Sequence, residues 1–269
     1  MTAAVYLRCL GGIVEREALR FLHQRTRFLA ALVRPLVWLF IFAAGFRAIL
    51  GVSIVSPYET YILYEEYITP GLMVMILLFN GMQSSLSMVY DREMGSMKTL
   101  LVSPLPRWYL LTCKLLAGSL VSLIQVYLFL AIAWLWAIEP PLLGYLTVLP
   151  ALLLSAMMLG ALGLLLSSFV KQLENFAGVM NFVIFPMFFA SSALYPLWRI
   201  KESSVALYRI ASLNPFTHAV ELTRHALYMK LDPVSLAVVV GCLIGFMALA
   251  VVGYDPARGM MARRGAPDA

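Results

Sequence analysis

Charge is what this chain has least of. Of its 269 residues only 13% are Asp, Glu, Lys or Arg, while 62% are hydrophobic and the mean hydropathy is +0.86. Soluble domains carry about 25% charged residues, so this composition places the chain in the bilayer class. Cysteine is equally sparse. Cys9, Cys113 and Cys242 are odd in number and far apart, which implies neither a disulfide framework nor a zinc site. The three histidines, His23, His218 and His225, fall outside the long apolar runs, so no Ser–His pair is available within the bilayer. There is no G-x-x-x-x-G-K-S/T and no Gly-Lys pair anywhere, so this chain does not cradle nucleotide phosphates in the usual way. If its work consumes ATP, another polypeptide binds it.

What is present is hydrocarbon-soluble sequence in long runs. Crossing about 30 Å of hydrocarbon takes about 20 apolar residues per helix. Six runs qualify: about 28–50, 68–90, 115–138, 146–169, 176–196 and 234–253. The net charge of +6 is placed asymmetrically. Arg8, Arg16, Arg20, Arg25 and Arg27 precede the first run, Arg92, Lys98, Arg107 and Lys114 separate the second from the third, and Arg258, Arg263 and Arg264 follow the last. The loop after the first run has Glu59, Glu65 and Glu66 without a Lys or Arg, and the turn at Glu139 has no basic residue. By the positive-inside rule both termini are cytoplasmic. No short apolar segment with a cleavage site follows the N-terminal charges, so no cleaved signal peptide is expected. Residues 10–22 repeat apolar side chains at helical spacing and read as an interfacial helix on the inner leaflet. The longest loop, 197–232, faces outside and should hold short helices, with Asn214-Pro215 a helix start.

Four sets of residues are candidates for function. In span two, Asn80, Gln83, Ser84 and Ser87 recur at i, i+3, i+4 and i+7 on one side of a helix. Polar groups there must meet protein or a wet cavity, so the stripe is either interhelical glue or the wall of a substrate path. Gln125 in span three and Asn181 in span five stand alone, as structural polar residues do. Arg34, early in span one, has two readings: snorkelling to inner-leaflet phosphates or meeting an anionic substrate. His218, Glu221 and His225 share a helix face, which permits a metal hypothesis; a solvated face with Glu221 paired to Arg224 or His225 is the alternative, and no fourth ligand is evident. Gly241 and Gly245 form a G-x-x-x-G in span six, a weak packing signal.

The segment between spans two and three is the most informative. Met94, Met97, Leu100 and Leu101 make one apolar edge flanked by Asp91, Arg92, Glu93 and Lys98, with Gly95 open to close approach and Pro104 and Pro106 ending the helix. A compact cytosolic element of this kind either anchors two spans or receives a partner.

These residues resemble the ABC-2 type transporter permeases. The resemblance is carried by DREMGSMKTLLVSPLPRWYLLTCKLLAG (91–118) and by FPMFFASSALYPL (185–197) followed by LNPFTHAVELTR (213–224), in that order along nearly the whole chain. It is nearest the nodulation-factor and daunorubicin-type exporter permeases. The resemblance implies an all-α, six-span half-transporter of the ABCG-like kind in a bacterial inner membrane, paired with a second copy and driven by two separate ATPase subunits that hold the ATP and Mg. It implies no cofactor or metal on this chain, no catalysis by it, and no nucleic-acid partner; its other contact is membrane lipid. The implied organisation is an N-terminal interfacial helix (1–27), a transmembrane domain (28–253) and a cytosolic tail (254–269). By match, Glu93, Gly95, Leu100, Leu101, Ser103 and Pro104, with Met94, Met97 and Lys98 beside them, belong to a coupling helix (about 91–104) that inserts into the ATPase. Asn214, Pro215, Glu221 and Arg224 belong to an external re-entrant region (about 197–232). Spans two and five would line the path near the dimer axis, which adds Asn181 to Asn80, Gln83, Ser84 and Ser87. Two positions depart from the family: Lys98, where an acid is common, and Ser192, where glycine is common. The rival classes are a secondary transporter, which usually shows mid-span carboxylates absent here, and a membrane-embedded lipid-modifying enzyme, which would need a convergent nucleophile and base.

Overall fold

A computed structural model describes residues 3–23, 25–46, 56–58, 62–93, 105–136, 138–170 and 172–254. Among the described residues the chain forms ten α-helices and no sheet. They are α1 (Ala3–His23), α2 (Arg25–Phe46), α3 (Tyr64–Glu93), α4 (Arg107–Leu135), α5 (Gly144–Phe169), α6 (Leu173–Phe189), α7 (Leu197–Ser203), α8 (Val205–Leu213), α9 (Pro215–Leu227) and α10 (Pro233–Gly253). In hydrocarbon a helix satisfies its own backbone, so long apolar runs have no other solution here. Four helices, α3, α4, α5 and α10, are long and apolar enough by themselves to cross a membrane. One expected span is shorter than the sequence implied: α6 has 17 residues. The run at 176–196 breaks because the chain leaves the helix after Phe189 and turns through 190–196.

Helix α5 is central. It packs against α3, α4, α9 and α10, and the main core joins Leu72, Met73 and Ile76 of α3, Phe129 of α4, Leu152 and Leu159 of α5, Phe188 of α6 and Phe216 of α9. The close approach of α3 and α5 depends on glycine. A Cβ on Gly81 would stand 2.9 Å from the Gly160 Cα, and one on Gly163 would stand 2.9 Å from the Gly81 carbonyl oxygen. By contrast, added Cβ atoms on Gly241 and Gly245 of α10 meet nothing within 4 Å, so that G-x-x-x-G makes no close packing among the described residues. Most of α10 is a peripheral apolar surface, exposing Val234, Ile244, Leu249 and Val252.

At the other end of the sequence, α1 lies against the start of α4: the Tyr6 and Tyr109 rings meet edge to face at 4.8 Å, and the Tyr109 hydroxyl donates to the Tyr6 carbonyl oxygen. The expected helical stretch at 10–22 is therefore part of a longer helix docked on the bundle. Glu65 and Glu66, expected in a loop, form the first turn of α3, where acidic side chains complement the helix dipole. The long loop after α6 contains three helices, as its aromatic and aliphatic content required.

Candidate functional site

The polar stripe of α3 divides into two sides. Asn80 donates its side-chain amide to the Gln125 side-chain oxygen of α4, so Gln125 is not isolated but one half of an interhelical pair. Ser84, one turn on, faces Gly118 of α4 and lines a small cleft with Ser85, Ser119, Ser122 and Lys114 between α3, α4 and α5. The hydroxyls of Ser85, Ser119 and Ser122 each donate to a carbonyl four residues back, leaving only lone pairs toward the cleft. Asn80 and Ser84 thus both meet α4.

Gln83 points elsewhere. It is one turn from Phe79 on the same side of α3, half-buried, and makes no hydrogen bond among the described residues. Ser87 continues that side and donates its hydroxyl to the Ser84 carbonyl oxygen at 2.7 Å. From α2, the Arg34 guanidinium lies over the Phe79 ring, 3.8 Å from its centroid. One turn further along α2, Trp38 meets Phe188 and Phe189 of α6 at 5.9 and 5.8 Å, so α2, α3 and α6 converge beside this open side. Sequence reasoning named Gln83 and Arg34 separately; Arg34 stacks on Phe79, which stands one helical turn before Gln83. Asn181 is exposed on α6, next to Phe182, which is 80% exposed.

The elements that follow α6 grip its exit. Asn214 caps α9 by accepting from the Phe216 N–H, while its side-chain amide donates to the Met187 and Ala190 carbonyl oxygens, both at 2.7 Å. Pro215 takes the first helical position, where its missing N–H costs nothing. Arg224 is buried at 2% exposure. It bonds Glu221 on its own helix, donates to the Ser192 carbonyl oxygen at 3.0 Å, and stacks 4.2 Å from the Tyr67 ring centroid. Burial alone would pull the Arg224 pKa down, but the Glu221 carboxylate and the Tyr67 and Tyr58 phenols more than offset this and hold it above the ordinary arginine value. From the other side, Tyr64 and Tyr67 of α3 donate to the carbonyl oxygens of Leu194 and Ser192. The 190–194 turn is therefore held between α3 and α9. Sequence reading found Asn214, Pro215, Glu221 and Arg224 but missed Tyr64 and Tyr67, whose only signal was tyrosine in place of phenylalanine in an apolar run.

His218 faces the Ser235 hydroxyl and the Ser212 carbonyl oxygen, while Glu221 pairs with Arg224 and lies 3.9 Å from His225; no group of three potential ligands occurs among the described residues. Glu93 is exposed at the end of α3. The remaining coupling candidates, Met94, Gly95, Met97, Lys98, Leu100, Leu101, Ser103 and Pro104, lie outside the described residues.

A family model for the ABC-2 type transporter matches residues 9–228. The chain belongs to the ABC-2 type transporter family. This permease is similar to ycf38 of Porphyra purpurea, named a transport permease, at 28% identity over 82% of this chain and 74% of that protein. It is similar to ycf38 of Cyanophora paradoxa at 26% identity over 83% of this chain and 76% of that one. It also matches YbhR of Escherichia coli strain K12, named a multidrug ABC transporter permease, at 31% identity over 62% of this chain and 45% of that protein. The ABC-2 permease is thus a multi-pass membrane component of an ABC transporter, a transport subunit and not itself a catalyst.

Proposed function

We propose that this permease forms the translocation pathway of an ATP-driven exporter in the bacterial inner membrane, with both termini cytoplasmic. Two copies pair, and two ATPase subunits, which hold ATP and Mg, dock beneath them. The coupling helix at about 91–104 receives the push of ATPase closure through Met94, Gly95, Met97, Leu100 and Leu101, with Glu93 and Lys98 beside them. The bundle then rocks between inward- and outward-facing states, and α3 and α6 line the path, Gln83 and Asn181 among its polar contacts. α2 and α6 complete the six spans, 197–232 forms the external re-entrant region, and 254–269 is a cytosolic tail.

The observation that carries this reading is the family match over 9–228 in a chain with no nucleotide-binding motif of its own. A transport subunit of an ABC system that lacks a P-loop needs a hydrolysing partner. The test is co-purification with the native ATPase. A bulky residue at Gly95, or Leu100→Asp, should abolish ATPase association and transport while the chain still inserts; normal association and transport would discard the coupling assignment. Cysteine labelling should reach position 204 only from outside and position 96 only from inside, and the reverse pattern would discard the topology.

A further inference from the structure

Arg34 stands where an arginine is least expected. Phe79, the residue it covers, is the sixteenth of the 30 residues of α3. At a rise of about 1.5 Å per residue, Phe79 lies roughly 20 Å from either end of that helix. The guanidinium is thus level with the middle of a membrane-crossing helix and not at its cytosolic rim, where snorkelling would take it. Arg34 is exposed and has no carboxylate partner among the described residues. A cation at this depth is costly unless an anion or water compensates it, and a phenyl ring, though attractive, carries no net charge.

Among the described residues nothing supplies that compensation, and the surroundings say what kind of group would. Gln83, on the Phe79 side of α3, offers an amide with no internal partner. Arg34 offers a planar fork that matches carboxylate or phosphate oxygens in pairs. The ring between them and the neighbouring Trp38 are apolar surface for a chain. We infer that Arg34, Phe79 and Gln83 bind the anionic headgroup, phosphate or carboxylate, of an amphiphile that this permease transports. The inference rests on the reading of α3 as pathway wall and names the class of substrate that passes along it.

The test uses the complex with its native ATPase in phosphatidylcholine nanodiscs. Three probes share one alkyl chain: dodecyl phosphate, dodecyl maltoside and dodecyltrimethylammonium. Binding is read by native mass spectrometry, and ATP hydrolysis in parallel. Dodecyl phosphate should bind and stimulate hydrolysis with a half-saturation at least tenfold below the other two. Arg34→Gln should raise that value at least tenfold, Gln83→Leu several-fold, and Arg34→Lys should fall between wild type and Arg34→Gln. Equal half-saturation for the three headgroups, or no change in Arg34→Gln and Gln83→Leu, would overturn the proposal. Binding that needs Arg34 but leaves hydrolysis unstimulated would identify a structural lipid and overturn the substrate assignment. Failure of the underlying exporter reading looks different: the wild-type chain would not associate with an ATPase at all, while the binding arm on the chain alone would still decide the headgroup site.

Discussion

Asn80 of α3 donates its side-chain amide to the Gln125 side-chain oxygen of α4, across 45 residues of sequence. Gln125 is 3% exposed, so nothing else in reach replaces this partner if it is lost. Asn80→Leu or Gln125→Leu alone should each lower stability by about 1 kcal/mol, the usual range for interhelical hydrogen bonds in membranes. The double variant should recover most of that loss, because two apolar groups leave no orphan. Apparent unfolding midpoints of the purified permease in detergent check this. Transport should depend more on Gln83 than on Asn80, whose amide is already bound to Gln125.

The Arg224–Glu221 pair makes a second prediction. Removing one member of a buried ion pair leaves an uncompensated charge and costs about 3–5 kcal/mol. Glu221 retains 17% side-chain exposure, which puts Glu221→Leu at the lower end of that range. Arg224→Lys should not rescue the site: an ammonium cannot serve Glu221, the Ser192 carbonyl oxygen and the Tyr67 ring at once, as the guanidinium does. Thermal unfolding should rank the variants wild type above Glu221→Gln above Glu221→Leu, with Arg224→Lys well below wild type. A neutral Arg224→Lys would remove the argument for a shared clamp on the α6 exit.

The parts legible in the sequence were those fixed by local rules. Asn214-Pro215 read as a helix start because cap chemistry is contained within three residues, and that cap is present. Long apolar runs became helices for the same reason, and their order carried the family. Pairing was not legible. The stripe at Asn80, Gln83, Ser84 and Ser87 has one periodicity, yet its members face different neighbours, and only the packing of α2 and α4 against α3 separates them. Tyr64 and Tyr67 find their acceptors 130 and 125 residues away, in a turn whose position no local pattern announces.

Asp232 gives a pH-dependent prediction. It caps α10 by accepting from the Val234 N–H at 3.1 Å and from the Ser235 hydroxyl at 2.6 Å. Burial would raise its pKa, but the Ser235 hydroxyl, the Ser235 and Val234 N–H groups and the nearby His225 outweigh this and hold it below the ordinary 3.8. A carboxylate whose folded pKa is depressed stabilises above its unfolded value, and that stability is lost as pH falls through the folded one. Asp232→Ala should cost about 1 kcal/mol at pH 7, as lost caps do. The gap between wild type and Asp232→Ala should shrink as pH falls from about 5 toward 2, because protonation removes the charged cap from wild type only. Midpoints measured across that interval check it; a gap that stays constant on acidification would mean the cap works without its charge.

Two glycine pairs with different surroundings separate packing from pattern. Gly81 and Gly160 meet where α3 crosses α5: a Cβ on Gly160 would come within 2.6 Å of a Leu115 methyl, and one on Gly81 within 2.9 Å of the Gly160 backbone. The obstacle at Gly160 is a side-chain end that can shift, whereas the one at Gly81 is backbone. Gly81→Ala should therefore be the worse of the two, with overpacking costing about 1–3 kcal/mol. Gly241→Ala and Gly245→Ala on α10 meet open space among the described residues. In a helix interior each should be neutral or stabilise by up to about 1 kcal/mol through propensity alone. Unfolding midpoints of the four variants should fall in that order. If Gly245→Ala instead destabilises the assembled transporter while leaving the isolated chain unchanged, α10 packs against another subunit through the motif that meets no close neighbour among the described residues.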